Sequence, residues 1–267
     1  LGLMGGSLGM ALKRHRVASK VVGVARRASV LREARRKKAI DSGTTRLAEG
    51  VAGAELVVLA TPPASVVKLA RQVARLASGP LVITDVASTK DWIVRQLKGL
   101  PANVVFVGGH PMAGSEKGGI SAACAALFEG AACILTKTSG VSPKALSKVS
   151  KLWRGVGSQV VVTTPGQHDA WVAQISHLPH LASSALALSV SDSALQQAPT
   201  GFSYTTRLAL GDPVPWEEIC RTNSRQIDQA LGVFIQQLNQ FRRQVRSKSR
   251  SALRRRLKSA QSRRRKL

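Results

Sequence analysis

The sequence is short of aromatic and acidic residues. Of its 267 residues only 4 % are Phe, Trp or Tyr, and 14 Asp and Glu oppose 40 Lys and Arg. An aromatic-rich binding surface is therefore excluded. The core has to be built mainly from Val, Leu, Ile and Ala, which suits alternating strands and helices. With 44 % hydrophobic residues the chain can bury a real core, and its length predicts two domains.

Cysteines and long hydrophobic runs are also scarce. Cys124, Cys133 and Cys220 show neither CxxC spacing nor an even number, which speaks against a disulfide framework and a cysteine metal site. No apolar run reaches the roughly eighteen residues that a membrane span needs. We therefore predict no metal, no membrane partner and a reducing, cytoplasmic compartment.

Positive charge is abundant, with a formal net charge of +26. Residues 242–267 contain no acidic residue, and about half of them are Arg or Lys. Such a segment is typical of a solvated helix or a disordered arm. Two interpretations stay open for this basic tail: an incidental or solubility-related extension, and binding of a polyanion. The basic character of the remaining chain favours anionic substrates.

Strand-like and helix-like segments alternate in the first part of the sequence. This alternation predicts a mostly parallel sheet with helices on both faces, an α/β Rossmann-type dinucleotide-binding domain over residues 1–164. After Pro165 only helical periodicity remains, which predicts an all-α substrate and dimerisation domain over 165–241 and the basic tail over 242–267. The apolar runs of strand length lie at residues 21–24, 56–60, 81–86 and 104–107, and around 132 and 160.

A glycine-rich turn, GLMGGSLG, opens the chain and leads into a helix. It fits the later part of GxGxxG, so we expect the chain to be truncated, with the first glycine before Leu1. Glycines let the backbone approach a pyrophosphate, and a helix N-terminus offers free N–H groups. The cofactor-binding residues predicted in the nucleotide domain, apart from two arginines, are Gly2, Leu3, Met4, Gly5 and Thr61.

Those two arginines follow the second strand of the dinucleotide motif. NAD enzymes usually place a carboxylate there to accept hydrogen bonds from the ribose hydroxyls. Here Arg26 and Arg27 occupy the position, and guanidinium groups suit a 2′-phosphate. The sequence therefore predicts NADP as cofactor, with NAD left open.

His110 is the strongest candidate for a catalytic residue. It is predicted just after a strand, at the carboxyl edge where open α/β sheets bind their ligands. A neutral imidazole there could accept a proton from a substrate hydroxyl while hydride leaves the same carbon. Ser88, at the end of the preceding strand, could orient the His110 ring. Glu116 follows His110 by six residues.

Three motifs, taken with GLMGGSLG, resemble the prephenate and arogenate dehydrogenases over nearly the whole chain up to the tail. They are DVASTK from Asp85, HPMAGSE from His110, and His168-Asp169 followed by SHLPH from Ser176. HPMAGSE and SHLPH in this order are more specific than the glycine-rich turn.

The resemblance implies a role for each matching residue. His110 would contact the ring hydroxyl of the substrate, and Ser88 would orient both His110 and the nicotinamide. Glu116 would lie near the mouth of the pocket. Ser176 would lie near the cofactor and His180 near the substrate side chain. His177 is interpreted as structural, since no carboxylate or cysteine completes a metal set with the two histidines.

Arg207, in the segment TTR, matches the family arginine that binds a substrate carboxylate, a task that suits a guanidinium. The sequence departs from the family where Tyr204 stands in place of a frequent Asp. This departure predicts an altered ionic network in which Asp169 lacks its partner.

The implied reaction is the NAD(P)-dependent oxidative decarboxylation of prephenate to 4-hydroxyphenylpyruvate in tyrosine biosynthesis. Arogenate, which would give tyrosine, stays open. A hydrogen-bond donor at His180 suits the keto acid and ranks prephenate slightly ahead. The apolar helical domain, like the resemblance, predicts a homodimer.

Two other functions compete with this one. A 3-hydroxyacid or 6-phosphogluconate type dehydrogenase would need a catalytic Lys with an Asn four residues later, and no such pair follows Thr164. A regulatory or nucleic-acid-binding protein with a nucleotide fold would use the basic tail as its anchor. Salt-dependent DNA binding that is lost with the tail would favour it.

Overall fold

A computed structural model gives the fold and describes residues 1–115, 117–248 and 250–266. Within these residues all strands lie before residue 164, where most of them alternate with helices, and the elements that follow are helices. The strands are β1 (Val22–Val24), β2 (Ser42–Thr44), β3 (Leu56–Leu59), β4 (Leu81–Asp85), β5 (Val104–Pro111), β6 (Ala132–Thr136) and β7 (Gln159–Thr163).

In the described residues, six helices lie among the strands, and the other helices form the helical region that follows β7. The first six are α1 (Leu3–Arg14), α2 (Ala28–Arg36), α3 (Leu47–Val51), α4 (Pro63–Leu76), α5 (Asp91–Gln96) and α6 (Pro143–Gly155). The others are α7 (Pro165–Val172), α8 (Leu178–Leu188), α9 (Asp192–Leu195), α10 (Thr200–Thr206), α11 (Pro213–Thr222), α12 (Ser224–Arg246) and α13 (Arg250–Arg264). A π-helical turn (Ala173–His177) joins α7 to α8, and a 3-10 turn (Arg207–Leu210) follows α10.

The strands form two sheets in the described chain. β1 and β2 pair in parallel, and the other five lie in the order β3-β4-β5-β6-β7. Only the β5–β6 pairing is antiparallel. The predicted fold class, a Rossmann-type nucleotide-binding domain followed by a helical domain, is confirmed.

β5 is longer than the apolar pattern predicts. Its first half, residues 104–107, pairs in parallel with β4, and its second half, residues 108–111, pairs antiparallel with β6. Glycines allow the crowding in the second half, since a Cβ at Gly109 would lie 2.8 Å from the backbone oxygen of Asp85. His110 therefore lies inside a strand and not after one. Hydrophobic periodicity missed this extension because GGHP is not an apolar run.

The nucleotide-binding region is packed on both faces of its sheet. One cluster includes Leu8, Phe128 and Trp153, all nearly or fully buried, and another includes Val66 and Ile83. α1 approaches the segment after α2 so closely that a Cβ on Gly9 would lie 2.1 Å from the backbone oxygen of Ala39. This close contact fixes α1 relative to the segment between α2 and β2.

The helical region begins directly after β7. The Thr164 hydroxyl accepts a hydrogen bond from Gln167 N–H and caps α7, whose first residue is Pro165. α11 then packs against the nucleotide-binding region. Glu218 accepts a hydrogen bond from the N–H of Ala64, and the hydroxyls of Thr89 and Thr222 are 2.9 Å apart. These contacts fix the two regions relative to each other.

The basic segment is continuous with this helical region. α12 runs through residue 242 to Arg246, so the predicted boundary at 241/242 falls inside a helix. Arg256 on α13 packs back on α12 through a 2.8 Å hydrogen bond to Gln237 and a cation–π contact with Phe241. In the described part of the chain, no helix combines the length and the apolar character needed to cross a membrane.

Candidate active site

His110 lies near the end of β5, where Ile134 of β6 is its partner. Only 8 % of its surface is exposed. Its Nδ1 lies 2.9 Å from Nε2 of His168 on α7, and the two rings meet edge to face with centroids 5.0 Å apart. His110, the candidate base in the nucleotide-binding region, is therefore held by His168 of the helical region.

His168 is held in turn by the next residue along the chain. Its Nδ1 is 2.7 Å from Oδ1 of Asp169, and its side chain is completely buried. Asp169 also accepts hydrogen bonds from the N–H groups of Lys90 at 2.8 Å and Asp91 at 2.9 Å. The result is a continuous chain of hydrogen bonds from Asp169 through His168 to His110.

The expectation that Asp169 lacks a partner is wrong. Both of its carboxylate oxygens are occupied by donors, and none of these donors involves position 204. Tyr204 is 78 % exposed on α10. Asp169 is satisfied because α7 packs against the beginning of α5, where backbone N–H groups are free to donate.

A buried ion pair lies beside the hydrogen bonds that link Asp169, His168 and His110. Lys90 Nζ contacts Oδ2 of Asp85, and both side chains are fully buried. Asp85 also accepts hydrogen bonds from Gly109 N–H at 3.0 Å and Ala87 N–H at 3.1 Å. Burial raises the pKa of Asp85, while the Lys90 ammonium and the N–H donors act in the opposite direction. The Gly109 bond ties the end of β4 to β5, the strand that carries His110.

Burial keeps the histidines of this site neutral. It lowers the pKa of His110 well below its ordinary value of 6.5, and it lowers the pKa of His168 to about 2 and that of His177 to about 4. The positive charge of Lys90 adds to the effect at His110 and His168. Burial also raises the pKa of Asp169, whereas the N–H groups that donate to it and the charge of Lys90 act to lower it. A neutral imidazole at His110 can accept a proton at physiological pH.

Ser88 is half-buried after β4. Within the described residues the hydrogen-bond partner of the His110 ring is His168, and the orienting role of Ser88 stays a prediction. Adjacency of strand ends did not reveal which side chain of the helical region would reach the ring. Glu116 lies outside the described residues.

The SHLPH motif spans a π-helical turn and the start of α8. π-helical turns occur frequently at functional sites. Half-buried Ser176 lies in the turn. His177 is fully buried, with Nδ1 3.2 Å from Nδ2 of Asn223. That side-chain nitrogen also donates to the backbone oxygen of Asp169 at 2.9 Å.

His180 stacks on an aromatic ring that the sequence pattern had not singled out. Its ring centroid is 3.6 Å from that of Trp216, with 10° between the planes. A Cβ on Gly211 would lie 3.0 Å from both rings, so the pair is tightly packed. Burial lowers the pKa of His180. The imidazole is therefore a fixed, neutral group that can donate one hydrogen bond.

Arg207 begins the 3-10 turn after α10 and is exposed. The turn is held on α8, since Ala209 N–H donates to the hydroxyl of Ser183 at 3.2 Å. Ser183 lies one helical turn from His180. Arg207 and His180 therefore sit on elements in direct contact, with Arg207 exposed and His180 buried.

The glycine-rich start and the β3 edge fit a dinucleotide. Gly5 approaches Ala60 so closely that a Cβ would lie 3.1 Å from the methyl group of Ala60. The hydroxyl oxygen of Thr61 is buried and has no hydrogen-bond partner in the described chain. A donor or acceptor of a bound ligand would satisfy it. Arg26 and Arg27 are both exposed after β1, where they can reach an anionic group.

The predicted site residues come from separate segments, and the hydrogen bonds join only some of them. Sequence reasoning quoted His168, Asp169 and Lys90 within motifs but gave them no catalytic task. The adjacent His-Asp pair near the start of a predicted helix was the available signal. For Trp216 and Asn223 the only signal was their place in a segment that continued the family match.

Comparisons with known proteins agree with this geometry. A family model described as prephenate dehydrogenase, nucleotide-binding domain, matches residues 8–162. A second, described as prephenate dehydrogenase, dimerization domain, matches residues 164–259. The prephenate dehydrogenase of Bacillus subtilis is 32 % identical over 253 residues, which is 92 % of this chain and 68 % of that protein.

Solved structures give the same result. Prephenate dehydrogenase from Aquifex aeolicus in complex with hydroxyphenyl propionate and NAD+ has a TM-score of 0.92 at 30 % identity, covering 99 % of this chain and 95 % of that one. Arogenate dehydrogenase from Synechocystis has a TM-score of 0.85 at 29 % identity, covering 100 % of this chain and 97 % of that one.

Proposed function

Since this chain belongs to the prephenate dehydrogenase family, we propose that it oxidatively decarboxylates prephenate to 4-hydroxyphenylpyruvate, in tyrosine biosynthesis. A nicotinamide dinucleotide supplies the acceptor for the hydride when it is bound. The observation that carries the proposal is the buried, neutral His110 held by His168. It provides a base at the sheet edge where the ligand of such a fold binds.

His110 accepts the proton of the substrate hydroxyl. As the carbinol carbon loses its hydride, the O–H electron pair forms the carbonyl bond. Carbon dioxide then leaves, and its bonding pair enters the ring, which becomes aromatic while the ring oxygen regains a proton. Aromatisation drives this reaction, so the protein has mainly to position the substrate and to handle the proton.

The other site residues bind substrate and cofactor in this proposal. Arg207 binds a substrate carboxylate, for which its exposed guanidinium has no competing ion pair in the described chain. His180 donates a hydrogen bond to the side-chain keto group, which favours prephenate over arogenate. Ser88 and Ser176 would contact the nicotinamide when it is bound.

Turnover tests the function directly. Reduction of NADP and of NAD is followed at 340 nm with the purified protein, and prephenate and arogenate are supplied in separate assays. We expect turnover with prephenate to exceed turnover with arogenate. Faster turnover of arogenate would show that arogenate, and not prephenate, is the preferred substrate. A folded, cofactor-binding protein that turned over neither substrate would contradict the proposal.

Cofactor choice is predicted to depend on Arg26 and Arg27. Two exposed guanidiniums after β1 can form charge-assisted hydrogen bonds with a 2′-phosphate, each contributing about 1.5–3 kcal/mol. We propose NADP as the preferred cofactor. In the Arg26→Ala/Arg27→Ala variant we expect the KM for NADP to rise at least about tenfold while the KM for NAD changes little. Steady-state assays with each cofactor measure this.

The matched control is Arg35→Ala/Arg36→Ala, which removes two exposed arginines at the other end of α2. It should leave both KM values nearly unchanged. A wild-type preference for NAD, or an equal rise of both KM values in the first variant, would exclude a phosphate-binding role for Arg26 and Arg27.

A homodimer is proposed through the helical region, with the domain division at residue 164/165. α12 exposes apolar side chains, among them Val233 at 58 % and Leu238 at 51 %. A second copy covering them would bury this surface. Light scattering should give twice the chain mass of 28.3 kDa. Val233→Glu/Leu238→Glu should shift the protein toward monomer, whereas Leu195→Glu on α9, where Leu195 is 46 % exposed, should not. A monomeric wild type would contradict the proposal.

A further inference from the structure

We propose that His168 is a positioning residue that fixes the tautomer of His110, so that Nε2 of His110 is the proton acceptor. The inference rests on the dehydrogenase function proposed above and concerns how its base is prepared. The observation behind it is the buried sequence of hydrogen bonds from Asp169 through His168 to Nδ1 of His110.

The donor and the acceptor in each of these hydrogen bonds can be assigned by starting from Asp169. Burial raises the pKa of Asp169, but the backbone N–H groups of Lys90 and Asp91 donate to its two oxygens and, with the Lys90 charge, favour the carboxylate form. A carboxylate can only accept, so Nδ1 of His168 has to carry the proton that it donates to Asp169. Nε2 of a neutral His168 is then an acceptor.

The same reasoning extends to the next ring. Because Nε2 of His168 accepts, Nδ1 of His110 has to donate across the 2.9 Å contact and therefore carries the proton of that ring. Nε2 of His110 is left with a free lone pair. Within the described residues it has no hydrogen-bond partner, and His110 keeps 8 % of its surface exposed. The free nitrogen is the one available to a substrate hydroxyl.

Charges around the two rings oppose a doubly protonated state. Lys90 acts on both histidines, and His177 also faces them. Burial is the larger cause of the lowered pKa of both rings, so neither ring gains a second proton near neutral pH. His168 therefore does not relay a proton onward. It holds the His110 ring in one orientation and one tautomer, which a base needs before the substrate binds.

Two substitutions at position 168 separate this role from a packing role. In His168→Asn the side-chain amide nitrogen takes the place of Nδ1 and can still donate to Asp169. The shorter side chain does not reach His110. The amide oxygen of Gln replaces the Nε2 side and can still accept the proton on Nδ1 of His110. We expect kcat to fall on the order of tenfold to a hundredfold in His168→Asn, as for other partners that orient a functional imidazole. His168→Gln should stay within about threefold of the wild type, with KM for prephenate nearly constant in both.

The tautomer is measured without turnover by NMR of protein labelled with 15N-histidine. The chain has 5 histidines, and His110→Asn identifies the signal of His110 by its loss. We expect the wild type and His168→Gln to carry the His110 proton on Nδ1, and His168→Asn to lose this preference. A wild-type proton on Nε2, an unchanged tautomer in His168→Asn, or equal losses of kcat in the two variants would overturn the inference. An inactive wild type with the proton on Nδ1 would instead contradict the proposed function alone.

Discussion

Replacement of His110 by asparagine is expected to lower kcat on the order of a hundredfold to ten-thousandfold, the range that general base catalysis contributes. The amide keeps a polar group near the His168 ring but offers no nitrogen lone pair that can accept a proton. Cofactor affinity should change little, because the proposed role of His110 is to accept a proton from the substrate. Stopped-flow or steady-state rates of nicotinamide reduction, together with cofactor titrations, measure both quantities.

The matched control is His15→Asn, the same substitution at a partly exposed histidine that lies 3.5 Å from Glu129. It should leave kcat unchanged. Because the neutral imidazole is the active form and burial lowers the pKa of His110 well below 6.5, kcat/KM should fall only when the pH is well below 6.5. Near-normal turnover of His110→Asn would remove this residue from the mechanism.

Replacement of Lys90 by methionine is expected to lower the free energy of unfolding by about 3–5 kcal/mol, as removal of one partner from a buried ion pair does. Both Lys90 and Asp85 are fully buried, so the variant leaves a carboxylate without its counter-charge. Methionine has nearly the length of the lysine chain, which keeps the loss of packing small. Urea denaturation followed by circular dichroism measures the change.

Two further variants isolate the charge effect. Lys148→Met removes the lysine of a surface ion pair, whose amine lies 2.6 Å from Glu55, and should have no measurable effect on stability. The double variant Asp85→Asn/Lys90→Met removes the uncompensated charge and should regain part of the lost stability. A Lys90→Met protein as stable as the wild type would show that the pair contributes nothing to folding.

Local patterns predicted most of the nucleotide-binding fold. Apolar runs identified β3, β4, β6 and β7. β2 and α3 were missed because a strand of three residues, SGT, and a helix of five residues have no period to detect. The second half of β5 was missed because its antiparallel partner lies more than twenty residues later.

The sequence by itself determined the fold class and the family, since these depend on periodicity and on contiguous motifs such as HPMAGSE. It also located the glycine-rich turn and the arginines after β1, and it predicted His110 as the base. Only the tertiary structure decided that His168 contacts the His110 ring, that Asp169 is satisfied, and that His180 stacks on Trp216. Each of these contacts joins residues far apart along the chain, and their partners are chosen by the packing of the helical region on the sheet edge. A linear pattern carries no information about such distances.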